Sequence, residues 1–167
     1  MTSKMNKFAL AFSTMMVGSG AMAATGTGTL TATATVLASC TIGNAVLAFG
    51  FYDPASGVDH DAQTTVAVVC TTGSTYSIYS TTALTSRFMI TGAGGAGQQL
   101  TFGVYGSTSD RTSGTQLPLT NTTGKIAGTG TGLPQNINLF GRVAALQNVV
   151  AGAYTNTLTP TNLTIEY

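Results

Sequence analysis

Apolar residues in this chain scarcely recur at helical spacing. They fall in short β-branched and aromatic runs, separated by clusters of Gly, Ser, Asn and Pro. That punctuation leaves little room for helices of ordinary length and predicts an all-β sandwich or barrel. Strands are expected over residues 45–51, 64–71, 76–81, 100–105, 137–143 and 163–167. Turns or loops are expected at 92–97, 120–124 and 128–132. One domain accounts for the length, and no long-period repeat is visible.

Residues 25–40 carry the strictest pattern. Thr25, Thr27, Thr29, Thr31, Thr33 and Thr35 fall on one face; Gly26, Gly28, Leu30, Ala32, Ala34 and Val36 fall on the other. Period two with β-branched Thr is a strand signature. A segment so near a chain end is usually loose unless it is tied into a sheet. The pattern alone admits a first strand of the chain's own sandwich, a loose Thr/Gly leader, or a strand that completes a neighbour's sheet.

Lys4 and Lys7 flank the start of an uncharged run, residues 8–17, and small residues follow up to Ala21-Met22-Ala23. This reads as a signal peptide over residues 1–23, cleaved between Ala23 and Ala24. The apolar run is too short for a membrane anchor, which needs ~20 residues. Export takes Cys40 and Cys70 to an oxidising compartment, where a pair normally becomes a disulfide. Closing that loop is worth about 3–4 kcal/mol in the chain-entropy picture. A metal pair or a catalytic thiol would want Cys or His partners nearby, and none is close in sequence.

After cleavage four basic residues remain (Arg87, Arg111, Lys125, Arg142) against five acids (Asp53, Asp59, Asp61, Asp110, Glu166), a net charge of −1. Phosphate backbones are bound by clustered Lys and Arg, so a nucleic-acid partner is not expected. Charged residues are 7% of the chain, against about 25% in an ordinary domain. A surface so poor in charge favours association with copies of itself or with other proteins.

Nothing in the sequence assembles an active centre, so the chain is not expected to be an enzyme or to need a cofactor or metal. Residues 92–97 match G-x-G-x-x-G, but they lead into a strand-like run instead of a helix, and read as a hairpin loop. His60, between Asp59 and Asp61 with Asp53 nearby, is the single histidine. It reads as part of a solvated loop, with a bound cation as the lesser reading. Ser and Thr are abundant but have no G-x-S-x-G setting. Arg87, Met89 and Tyr154 read as packing and edge-pairing residues.

Several short motifs occur in order from Cys40 onward. Cys40 precedes Leu47-Ala48-Phe49-Gly50-Phe51-Tyr52; Cys70 is followed by Gly73 and Tyr76-Ser77-Ile78. Then come Arg87-Phe88-Met89, the run from Leu100 to Tyr105, Gly141-Arg142-Val143, Gly152-Ala153-Tyr154 and the terminal Leu163 to Tyr167. Together they resemble the spore coat protein U domain family, which includes major subunits of archaic chaperone–usher pili. The chain departs from the family pattern where Trp-Gly is usual (Gly114 takes the Gly position) and at Asn156, where Asp is common. Residues 159–162 also interrupt the last strand with Pro160.

The resemblance implies an incomplete immunoglobulin-like β-sandwich, completed by a donor strand from a neighbouring subunit. It divides the chain into a signal peptide (1–23), an N-terminal donor-strand extension (24–38) and a pilin domain (39–167). The donor face would be Leu30, Ala32, Ala34 and Val36, with Gly28 at its thin end. The implied function is a structural pilus subunit, polymerising by donor-strand exchange for adhesion or biofilm formation. The implied partners are identical subunits, a periplasmic chaperone, an outer-membrane usher and minor or tip pilins. The chain would pass through the periplasm to the cell surface. The competing expectation is a self-complemented secreted coat or carbohydrate-binding protein of the same fold, in which residues 25–36 close their own sheet.

Overall fold

Alternating inward and outward residues, interrupted every few positions by turn formers, give this chain short strands and long-range pairing. The computed structural model describes residues 24–91 and 98–167. The expected signal peptide and the glycine-rich loop at 92–97 lie outside the described residues. Contacts divide the chain into two units, Met1–Thr35 and Val36–Tyr167. The described part of the first, residues 24–35, forms neither helix nor strand, and its side chains are exposed, Leu30 to 95%.

The second unit is an all-β, sandwich-like fold of two antiparallel sheets. Its strands are β1 (Cys40–Ile42), β2 (His60–Cys70), β3 (Thr75–Ser80), β4 (Phe88–Thr91), β5 (Gln99–Tyr105), β6 (Ile126–Thr129), β7 (Gln135–Val143), β8 (Tyr154–Thr155) and β9 (Leu163–Glu166). The larger sheet runs β1-β2-β7-β5-β4-β8 and the smaller β6-β3-β9. β2 and β7 form the longest ladder, from His60↔Val143 to Val68↔Gln135. Every second residue of β2 from Val66 onward is buried (Val66, Val68, Cys70), as a strand with one face on the core requires. Leu139 and Val143 of β7 and Leu100, Phe102 and Val104 of β5 continue that face, and Tyr76 and Ile78 of β3 supply the opposite layer.

The disulfide expected from the cysteine pair is present. Cys40 and Cys70 stand directly opposite each other in the β1–β2 ladder, with Cα atoms 4.1 Å apart.

Four expectations change. Residues 45–51 are not a strand: after Gly43 N donates to Ala67 O, the chain leaves the β2 edge and crosses the inner face of the larger sheet. There its backbone meets no strand partner. The 128–132 stretch is only partly a turn, because Gly128 lies in β6 opposite Tyr76. A Cβ at Gly128 would collide with the Tyr76 ring, so the glycine is there for close packing. His60 and Asp61 are not in a loop but open β2. Finally, besides a 3-10 turn at Leu84–Ser86, the described residues hold one short α-helix, α1 (Thr108–Ser113), started by Ser107 Oγ accepting from Asp110 N and stopped by Gly114 at φ 79°.

Candidate functional site

β9 is the edge of the smaller sheet. One side pairs with β3 from Ser77↔Glu166 to Ser80↔Leu163, and the other has no strand partner among the described residues. An edge that is neither paired nor covered is a template for another strand. Beside it opens a groove of about 570 Å³. Its floor is the inner face of the larger sheet, with Phe102, Val104 and Leu139; one wall is residues 45–49 and the other residues 154–163.

Each wall is held by identifiable contacts. Leu47 and Phe49 reach down over Gly141 of β7, where a Cβ would run into Leu47 Cδ2 and Phe49 Cζ. Phe49 also packs against Phe102, ring centroids 5.8 Å apart. His60 Nε2 and Phe49 O form a hydrogen bond that pins this wall to the start of β2. Tyr52 Oη donates to Ala144 O at 2.9 Å and accepts from Gln147 N at 2.9 Å.

On the opposite wall, Thr82 fixes the approach to β9. Its Oγ1 accepts from Asn162 N at 2.8 Å and donates to Pro160 O at 3.5 Å. Thr82 O in turn accepts from Arg87 Nε at 3.3 Å. Pro160 has no N–H to donate, and β9 begins only at Leu163, so the interruption expected at residues 159–162 is real. Thr161 Oγ1 is sealed from solvent, lies in the groove wall and has no hydrogen-bond partner among the described residues. Buried hydroxyls are seldom left so.

A family model described as the Spore Coat Protein U domain matches residues 26–161. The chain belongs to that family. No curated protein matches it. In this Spore Coat Protein U domain, several of the motifs that suggested the family prove to be structural parts of the groove. Leu47 and Phe49 form a wall, Met89 lines it, and Leu163 starts the open edge.

A cluster of ion pairs sits elsewhere in the domain. Asp61 and Arg142 are directly paired across β2 and β7 on the outward face of the larger sheet. Arg142 Nε and Nη2 donate to the two Asp61 oxygens at 2.7 and 3.0 Å, and Arg111 Nε lies 3.2 Å from Asp61 Oδ2. Asp59 Oδ2 is 3.2 Å from Arg142 Nη1, and the Arg111 guanidinium stacks on Phe140. The Arg142 hydrogen bond, aided by both arginine charges, holds the Asp61 carboxyl below its ordinary range. Asp59 and Asp61 are thus engaged by arginines, and no group of three potential metal ligands gathers among the described residues.

Of the residues expected to act, Cys40 and Cys70 are joined. Gly28, Leu30, Ala32, Ala34 and Val36 are all exposed. Ala23 lies outside the described residues, and Ala24 is exposed. Sequence reasoning missed Thr82, Thr161 and Gly141. Only Gly141 left a trace, as the glycine of Gly-Arg-Val inside an otherwise β-forming run.

Proposed function

We propose that this chain is a structural subunit of a chaperone–usher pilus and polymerises by donor-strand exchange. The observation that carries this reading is the apolar groove beside the unpaired edge of β9. Residues 25–36 of one copy have the period-two pattern such an edge selects, with Leu30, Ala32, Ala34 and Val36 facing the floor and Gly28 at the thin end. Burying Leu30 and Val36 contributes about 1.5–3 kcal/mol each, and each ladder hydrogen bond about 0.5–1.5 kcal/mol. Ordering the segment costs about 1–2 kcal/mol per residue. Only a long, registered ladder therefore holds, which suits a strand of this length.

In this reading residues 1–23 are a signal peptide removed before Ala24, residues 24–38 are the donor extension and residues 39–167 the pilin domain. A periplasmic chaperone strand occupies the groove first. An outer-membrane usher then exchanges it for the next subunit's extension and delivers the filament, with minor or tip pilins, to the cell surface. A donor strand leading directly into a pilin domain suits a role in adhesion or biofilm formation through assembly.

The test is an unboiled denaturing gel of the full chain expressed with its chaperone and usher, beside a chain lacking residues 24–36. A ladder of heat-sensitive multimers is expected from the full chain only. Monomers from both would replace the pilin with a self-complemented coat protein.

A further inference from the structure

The groove does not stop at the end of β9. It continues into a second cavity of about 670 Å³, sharing Leu47, Phe49, Met89 and Tyr154 with the first. None of the described residues lining this second cavity is charged, and its rim carries Phe51, fully exposed, and Val150, half exposed. A solvent-facing Phe beside an apolar cavity is unfavourable for an isolated domain and points to a covering partner.

The direction of a donor strand determines what lies over this rim. Every ladder in the domain is antiparallel, and an antiparallel strand completes the smaller sheet with the better hydrogen bonds. Ile165 of β9 packs against the core cluster that holds Cys40 and Cys70, whereas Leu163 packs against the cluster that holds Leu100 and Phe102. A strand antiparallel to β9 therefore has its N-terminal residues beside Ile165 and leaves past Leu163, toward the second cavity. Only Leu37, Ala38 and Ser39 separate Val36 from Cys40. Four extended residue steps span at most about 14 Å. The Cys40 end of the incoming copy is thus held within that reach of the second cavity.

That end is apolar too. Leu37 is 79% exposed; its parity is opposite to Val36, so it cannot share the inserted face. Leu133 is 68% exposed and lies beside the disulfide, because Gly132 N donates to Cys70 O at 3.0 Å. We propose that the second cavity, with Phe51 and Val150, is the seat for the Leu37 and Leu133 end of the next copy of this chain. Each junction then has two parts, the inserted strand and an end-to-end apolar contact that fixes the angle between subunits. This inference rests on the pilus reading and adds a surface to it.

The test places a photo-crosslinking amino acid at position 37 of the full chain, expressed with chaperone and usher, and maps the cross-link by mass spectrometry. Dimers that survive boiling, joined to residues 48–54 or 149–154 of the neighbour, are expected; the same probe at position 121 should give no such product. Heat-sensitive multimers without a cross-link from position 37, or with one elsewhere, would overturn the second contact and leave the donor strand standing. Absence of multimers from the parent chain would instead remove the pilus reading itself. Should the probe block assembly, Leu37→Cys with Val150→Cys supplies the second measurement. Oxidised multimers should then resist boiling and collapse on reduction, and unchanged heat sensitivity would overturn the contact.

Discussion

Arg87 is 1% exposed and forms no ion pair among the described residues, yet its donors are satisfied by Thr82 O, Gln116 Oε1 and Leu117 O. Burial lowers its pKa from the ordinary value, but a guanidinium so placed stays charged. Arg87→Ala would strand three acceptors, Leu117 O fully buried and the other two partly so, and open a void. The expected cost is about 3 kcal/mol or more, read as a lower midpoint in urea denaturation. The sequence displays Arg87 in a recognisable motif but hides its burial, because its acceptors come from two distant places in the chain, Thr82 and the adjacent Gln116 and Leu117. On the donor side, the proposed inserted face makes a sharper prediction: Ala34→Asp carries an unpaired charge into the groove. It should abolish the multimer ladder while leaving the domain folded; normal filaments would remove Ala34 from that face.

Among the elements, the strands with clean alternation and partners on both sides were legible: β3, β5 and β7 lie within a residue or two of their expected bounds. Those whose identity depends on tertiary partners were not. Residues 45–51 look like a strand and lack only a neighbour, while β6 is disguised by Gly128 and α1 is too short to show a period. The groove itself was illegible, since its floor and walls come from residues 45–49, 64, 89, 102–104, 139 and 154–163. The Asp61 network is similarly non-local, tying β2, β7 and α1 together through Arg142 and Arg111. Asp61 ionises more readily when folded than its ordinary pKa of 3.8. The stability it supplies is therefore complete above about pH 4 and is lost as pH falls through the depressed folded value. Asp61→Asn should lower stability by a constant amount at neutral pH and flatten the acid limb of a stability–pH curve.

For the molecule as a whole, charge is scarce, and its ion pairs among the described residues are gathered on the outer face of the larger sheet. Contacts built on apolar surface and backbone ladders are insensitive to screening, unlike those built on ion pairs. Preformed multimers should keep the same melting temperature on unboiled gels after incubation at low or high sodium chloride. A marked fall in high salt would assign the junction to charges instead.

The position of the disulfide has a mechanical consequence. A pull on the residues before Cys40 does not travel first through residues 43–59, which carry no strand and form one wall of the groove. It crosses the sulfur bridge into β2 at Cys70, where the nine-pair ladder with β7 takes the strain. In the proposed filament, tension entering before Cys40 would thus reach the sheet without unravelling residues 43–59 of the same copy, and the groove wall at residues 45–49 would keep its place under load.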